Sequence, residues 1–519
     1  MKTRSAVIRF SFIALAVLLA AATAPAAVSV PSIIGDHMVL QAGKPLPIWG
    51  KAEPGENITV AFGGTAVQAV ADAEGRWMVK FPAQARSAKP VEMTIAGPDN
   101  ILTIRDILVG EVWIGSGQSN MQWTIKDSNN AKVEIAAANY PEIRLFYVER
   151  TVATSPQFTC KGEWKECSPE TIPDFSAVLY YFGRELRQKL GAPVGLICTA
   201  WGGTPAESWT SRGTLESDPE LDVIVKRWDK LVAEYPEAKK KYDAEMEAWK
   251  KAAEQAKAAG QSEPKKPEAP RGADHPWLAS GLYNAMIAPL VPFAIQGAVW
   301  YQGESNADRA YQYRTLFPAM IQDWRTAWNQ GPFSFYFVQL ANYTETKPDP
   351  VESTWAELRE AQTMTLKLEN TGMAVTIDIG EAKDIHPRNK QDVGKRLAFN
   401  ALAKDYDQKV VWSGPMFESM SVKGREAIIR FSHADGGLKV KGKGPLMGFA
   451  VAGADKKFVW AKARIKGGTV IVSSPLVATP IAVRYAWAHN PICNLFNGAG
   501  LPASPFRTDQ WPGETVDKK

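Results

Sequence analysis

Cysteine is scarce in this sequence, with four residues in 519, at positions 160, 167, 198 and 493. None of the spacings matches a zinc-ligand pair, which excludes a zinc module. Cys160 and Cys167 flank a short Gly-containing loop and could pair in an oxidising compartment, whereas Cys198 lies in an apolar run and reads as a buried thiol. Charge of one sign is also lacking. The formal net charge of +5 becomes +2 when the three positive charges of Lys2, Arg4 and Arg9 are taken away, so the balance carries no nucleic-acid signal. Internal repeats are absent. Beyond Phe10–Ala22 no apolar run approaches the length of a membrane span. Histidine is limited to five residues, and that scarcity becomes useful below.

What is present begins with a signal-peptide pattern over residues 1–27. It has a basic start (Lys2, Arg4, Arg9), the apolar segment Phe10–Ala22 and an Ala24-Pro25-Ala26 cleavage signal, with Ala27 as the alternative end. No cysteine follows it, so a lipid anchor is not expected, and the chain reads as exported to the periplasm or medium. The length predicts two to four domains. The 18 Trp suit a sugar-binding surface as well as a core.

Residues 28–104 alternate short apolar stretches with Gly and Pro turns, which predicts a β-sandwich-like domain. From 105 to 409 strand patterns alternate with longer helical ones, the mark of a parallel sheet with flanking helices. Strands are expected at Ile107–Ile114, Val194–Thr199, Ile295–Tyr301, Phe333–Gln339 and Ala374–Ile379. Helices are expected at Ser176–Leu190, Asp308–Trp328, Glu357–Leu366 and Lys390–Lys404. Residues 215–274, rich in Lys, Glu and Ala and ending in a Pro-rich stretch, read as a helical insertion with a solvated face. Residues 410–489 predict a second β-rich domain, and 490–519 a tail wrapped over the rest.

Ligands of an open parallel sheet bind beyond the carboxyl ends of its strands. Four of the expected strands feed polar turns there: GSGQSNM with Ser119, AWGGTPAESW with Gly202 and Gly203, QGESN with Gln302, Glu304 and Asn306, and GEAKDIHPRNK with Asp384, His386 and Arg388. A serine hydroxyl needs a base to become a nucleophile. Of the five histidines, His37, His433 and His489 fall in the β regions and His275 in the linker, so elimination leaves His386. An attacked ester needs preorganised donors for its oxyanion. The Ser119 N–H, a backbone N–H at Gly202 or Gly203, and the Gln302 amide could supply them. Each turn also has a plainer reading, as a helix cap or a turn glycine.

The blocks GQSNMQW, WGGTPAESW, WYQGESN and DIHPRNKQDVGKRLA resemble the successive motifs of the sialate O-acetylesterase family, a branch of the SGNH hydrolases. The opening IIGDHMVLQAGKPLPIWGKAEPGE and the closing NPICNLFNGAGLPASPFR resemble its ends. The resemblance implies an SGNH-type α/β domain between two β-rich regions. It implies Ser119 as nucleophile, His386 as base, and Gly202 or Gly203 with Gln302 in the oxyanion hole, without metal or cofactor. One position departs from the pattern: the acid expected three residues before the histidine is Lys383, and Asp384 stands two before it. The orienting group is therefore Asp384, Glu304, Glu381, a main-chain carbonyl, or none in a Ser–His dyad. Glu304, Asn306 and Arg388 are candidates for orienting substrate, Arg388 suiting a sialic acid carboxylate. The expected activity is hydrolysis of O-acetyl esters on carbohydrate. Sialic acid is the namesake substrate and acetylxylan the rival, and a non-catalytic carbohydrate-binding protein is the alternative of another class. The oligomeric state is left open.

Overall fold

The computed structural model describes residues 27–519, so the signal-peptide reading of residues 1–26 lies outside the described part. The first strands are β1 (Val39–Gln41), β2 (Leu46–Lys51), β3 (Asn57–Phe62), β4 (Thr65–Val70), β5 (Arg76–Phe81) and β6 (Ser87–Ala96). β2 and β5 form an antiparallel pair that lies against the sheet containing β3, with Phe62 and Phe81 meeting edge to face at 5.8 Å.

The organising strand is β7 (Ile101–Gly117), 17 residues long. Its first half pairs with β6 and, through Leu108–Gly110, with β1. Its second half is the centre of a second sheet formed with β8 (Tyr140–Tyr147), β9 (Trp164–Cys167), β10 (Val194–Ala200), β11 (Gly297–Tyr301), β12 (Ser334–Gln339) and β13 (Thr371–Val375). The order is β13-β12-β11-β7-β10-β8-β9. All neighbours are parallel except the edge pair β8·β9. Every residue of β7 from Ile107 onward is buried, which its β-branched, charge-poor sequence requires of a strand covered on both faces. The expected boundary at 104/105 falls inside this strand.

The helices follow the expected alternation: α1 (Ser119–Gln122), α2 (Ala131–Ala136), α3 (Ala177–Leu190), α4 (Arg212–Glu216), α5 (Pro219–Ala258), α6 (Ala310–Trp328), α7 (Thr354–Met364) and α8 (Lys390–Lys404). Ser176 caps α3 by accepting from the Leu179 N–H, and Asp218 with Pro219 starts α5. α5 is a single 40-residue helix that buries Leu221, Ile224, Val225 and Trp228 near its start and thereafter only Ala253. Its exposed length carries i,i+4 ion pairs such as Lys239–Asp243.

The C-terminal region holds one four-stranded antiparallel sheet (Met416–Lys423, Glu426–Ser432, Thr469–Ser473, Lys462–Lys466). A second contains Val459–Trp460, Phe449–Ala452, Ala482–Tyr485 and Phe506–Arg507. The tail supplies the last of these strands, and Leu495–Asn497 pairs with Leu438–Val440. Arg359 of α7, fully buried, joins this region to the α/β sheet by donating to the carbonyls of Leu340, Ala341, Ala488 and His489. All four cysteines are free thiols, which corrects the suggested Cys160–Cys167 pair: Cys160 lies against Ser32, and Cys167 points to the Ala138 carbonyl. Cys198 is buried, and burial pushes its thiol up to about 12.

Candidate active site

The carboxyl ends of β7, β10 and β11 are tied together by main-chain bonds. Gln118 N–H donates to Tyr301 O at 3.0 Å, and Trp201 N–H to Gly117 O at 3.1 Å. Gly117 has φ +133°, and a Cβ there would lie 2.2 Å from Tyr301 O, so glycine is required for the strands to converge. Ser119 comes next, half-buried, as the first residue of α1, where a helix leaves its N–H groups without intrahelical acceptors. Gln118 stitches this turn to the one after β11 by accepting from the N–H groups of Gly303 and Ser305.

The two candidate glycines differ. A Cβ on Gly202 would lie 3.2 Å from Ser119 Cβ, whereas one on Gly203 would meet nothing within 4 Å. Gly202 is therefore the glycine beside the serine. Its N–H donates to Gln122 Oε1 at 2.7 Å. Gly203 has φ +75° and is exposed.

Gln302 is fully buried. Its amide donates to Asn306 Oδ1 at 2.6 Å and Thr204 O at 3.3 Å, and its Oε1 accepts from Tyr313 OH. Asn306 in turn donates to Glu207 Oε2 at 2.9 Å and accepts from Ala206 N–H. Burial opposes ionisation of Glu207, but the Arg309 guanidinium and the Asn306 amide outweigh it and hold its carboxyl below the usual range. Both amide donors of Gln302 are thus engaged with the scaffold.

His386 lies on the loop between β13 and α8. Its ring stacks on Trp123 with centroids 4.9 Å apart and planes 14° from parallel. Its Nδ1 lies 3.4 Å from Asp384 Oδ1, and the same oxygen accepts the His386 backbone N–H at 2.9 Å. Burial, and then the neighbouring Lys390, lower the imidazole pKa against the pull of Asp384, which favours the neutral, basic form. Lys383 and Arg388 are exposed, and Glu381 caps the Arg388 N–H at 2.8 Å.

Residues beside the expected ones complete the site. Asn120 donates to Glu304 Oε1 at 2.6 Å and to Ile385 O at 3.0 Å, and accepts from Lys390 Nζ at 2.5 Å. Lys390 is fully buried, with its ammonium over the Trp123 and Tyr301 rings at 5.8 and 5.5 Å. Burial raises the Glu304 carboxyl pKa, and its Oε2 is shielded with no hydrogen-bond partner among the described residues. Elsewhere among the described residues, the ligand atoms of His37, Asp106 and Glu166 approach within 4.8 Å of one another. The Arg144 guanidinium bonds Asp106 and lies 3.4 Å from Glu166, so a cation of the protein already occupies that place.

Residues 109–260 and 271–403 match the family described as carbohydrate esterase, sialic acid-specific acetylesterase. The chain is similar to the sialate O-acetylesterase of Rattus norvegicus, at 31% identity over 92% of this chain and 93% of that protein. It is also similar to that of Homo sapiens, at 30% identity over 93% of each. Among solved structures it is similar to a carbohydrate acetylesterase from Xanthomonas citri, with a TM-score of 0.78 and 38% identity over 93% of this chain and all of that one. The fold and these relatives define a carboxylic ester hydrolase of the carbohydrate esterases. Within that class, the chain belongs to the sialic acid-specific acetylesterase family.

Proposed function

We propose that the protein is an exported serine esterase that removes O-acetyl groups from sialic acids through an acetyl-serine intermediate. His386 takes the proton of Ser119 Oγ as that oxygen attacks the acetyl carbonyl. The sugar oxygen then leaves with the proton from the imidazolium. Water, deprotonated by His386, clears the acetyl group from Ser119 in the same way. The observation that carries this reading is the pairing of Trp123 with His386 and of Asn120 with Ile385 O, which seats the histidine loop on the helix beginning with Ser119.

The Ser119 N–H and a glycine N–H stabilise the oxyanion in this reading. That glycine is Gly202 or Gly203. Gly202 and Gln302 serve after giving up their bonds to Gln122 and to Thr204 or Asn306. Asp384 orients the imidazole through Nδ1, and Glu304 and Asn306 hold the turn after β11. The exposed Arg388 guanidinium meets the substrate carboxylate. The test is acetate release from a 9-O-acetylated sialoside and from acetylxylan. Release from the sialoside is expected, and Ser119→Ala is expected to lower kcat by about 10⁴-fold or more with the fold intact. Release from xylan alone would move the substrate to plant polysaccharide, and an undiminished Ser119→Ala rate would sink the mechanism.

A further inference from the structure

A buried lysine at the first residue of a helix breaks two rules at once. Burial disfavours its charge, and the helix N-terminus repels a cation. Lys390 does this directly behind His386. An ammonium only donates, so its contact with Asn120 Oδ1 fixes which way that amide faces. The two amide hydrogens are then directed at Glu304 Oε1 and at Ile385 O, the carbonyl just before His386. The same ammonium lies over the Trp123 ring against which the imidazole stacks. Both grips on the histidine, amide and indole, therefore pass through one side chain.

We infer that Lys390 is a positioning residue of the reaction: through the Asn120 amide and the Trp123 ring it holds His386 against the helix that begins with Ser119. This rests on the Ser119–His386 chemistry proposed above. The charged groups that act on the imidazole are Asp384 from its own loop and Lys390 from α8, and Lys390 in turn feels Glu304 from the turn after β11 and Glu381 from the histidine loop. α1 and the residue that ends it present the uncharged Asn120 and Trp123. Burial pushes Lys390 down to about 7 against the opposing pull of Glu304, Asp384 and Glu381, so it carries charge over the acidic range in which His386 titrates. A cation there keeps the imidazole unprotonated to lower pH.

The test uses the full chain and 4-nitrophenyl acetate, followed from pH 4.5 to 9. Lys390→Met is expected to lower kcat by about 10- to 100-fold with KM nearly unchanged. It is also expected to move the acidic limb of kcat/KM to higher pH by about half a unit or more. Lys390→Arg, which keeps the cation, should leave the limb where the wild type has it, a separation that a merely structural role would not produce. A wild-type kcat and limb in Lys390→Met would overturn the inference. Should Lys390→Met fail to give a cooperative melt, Asn120→Asp carries the test. It still accepts from Lys390 but cannot donate to Ile385 O, so kcat should fall about tenfold, and an unchanged kcat would overturn the inference. His386→Ala in the same assay separates the two levels. Full activity there removes the underlying mechanism, whereas an inactive His386→Ala beside a wild-type Lys390→Met removes the role of Lys390 alone.

Discussion

Gly202 and Gly203 are adjacent and chemically identical, yet they have opposite tolerances. A methyl at 202 meets Ser119 Cβ at 3.2 Å and the Gln122 side-chain Oε1 at 3.3 Å, so Gly202→Ala presses the serine turn out of place by a few tenths of an ångström. A misplacement of this kind costs about 10²-fold in rate, and kcat on a small ester should fall by that order with little change in the melting temperature. Gly203→Ala meets open space and pays instead for φ +75°, about 1 kcal/mol, which a melt should register while kcat stays within a few-fold. Ser119 and His386 are legible in the sequence as candidates because a strand-end serine and the one histidine outside the β regions and linker stand out there. Asn120 and Lys390 lie inside the same motifs, where no single-residue signal sets them apart. The signal that could have found Lys390 is its cost: a cation at a helix start is disfavoured, and local rules are broken most often at functional sites.

Among the elements, α8 runs over the span its periodicity predicts, Lys390–Lys404, because Asn389 caps it through the Asp392 N–H and the apolar positions recur at helical spacing. β13 is displaced, ending at Val375 rather than Ile379. β12 has no residue left to pair beyond Gln339, and the Thr376 hydroxyl bonds the Gln339 carbonyl where the chain turns away. β8 was not anticipated. Its sequence, YPEIRLFY, mixes proline and charge with apolar residues, and pairing with β10 makes it a strand. α5 is legible as a solvated helix along most of its length, but its first turns are core. Trp228→Ala should cost about 3–5 kcal/mol in a denaturant titration. Lys251→Ala, on the exposed length of the same helix, should cost less than about 1 kcal/mol.

Across the whole molecule, contacts that no local pattern announces join the parts. Glu357 in α7 is almost fully buried, and its carboxylate accepts from the N–H groups of Glu514 and Thr515 and from the Thr515 hydroxyl. A chain ending at residue 510 would lose all three donors to that carboxylate together with the segment packed on it. Its melting temperature should drop by about 3 °C or more, with the loss reversed by Glu357→Gln if charge is the cause. Arg359, one turn-fraction away on the same helix, holds the loop after β12 and the 488–489 segment by four carbonyls.

β7 belongs to two sheets and passes from one to the other at Asp106. At the junction Asp106 takes the left-handed backbone at φ +56° and the pairing with β6 slips, so the strand kinks where it passes from the half-exposed N-terminal ladder into the buried α/β sheet. A graft or exchange of the N-terminal unit would have to cut a strand that both sheets share.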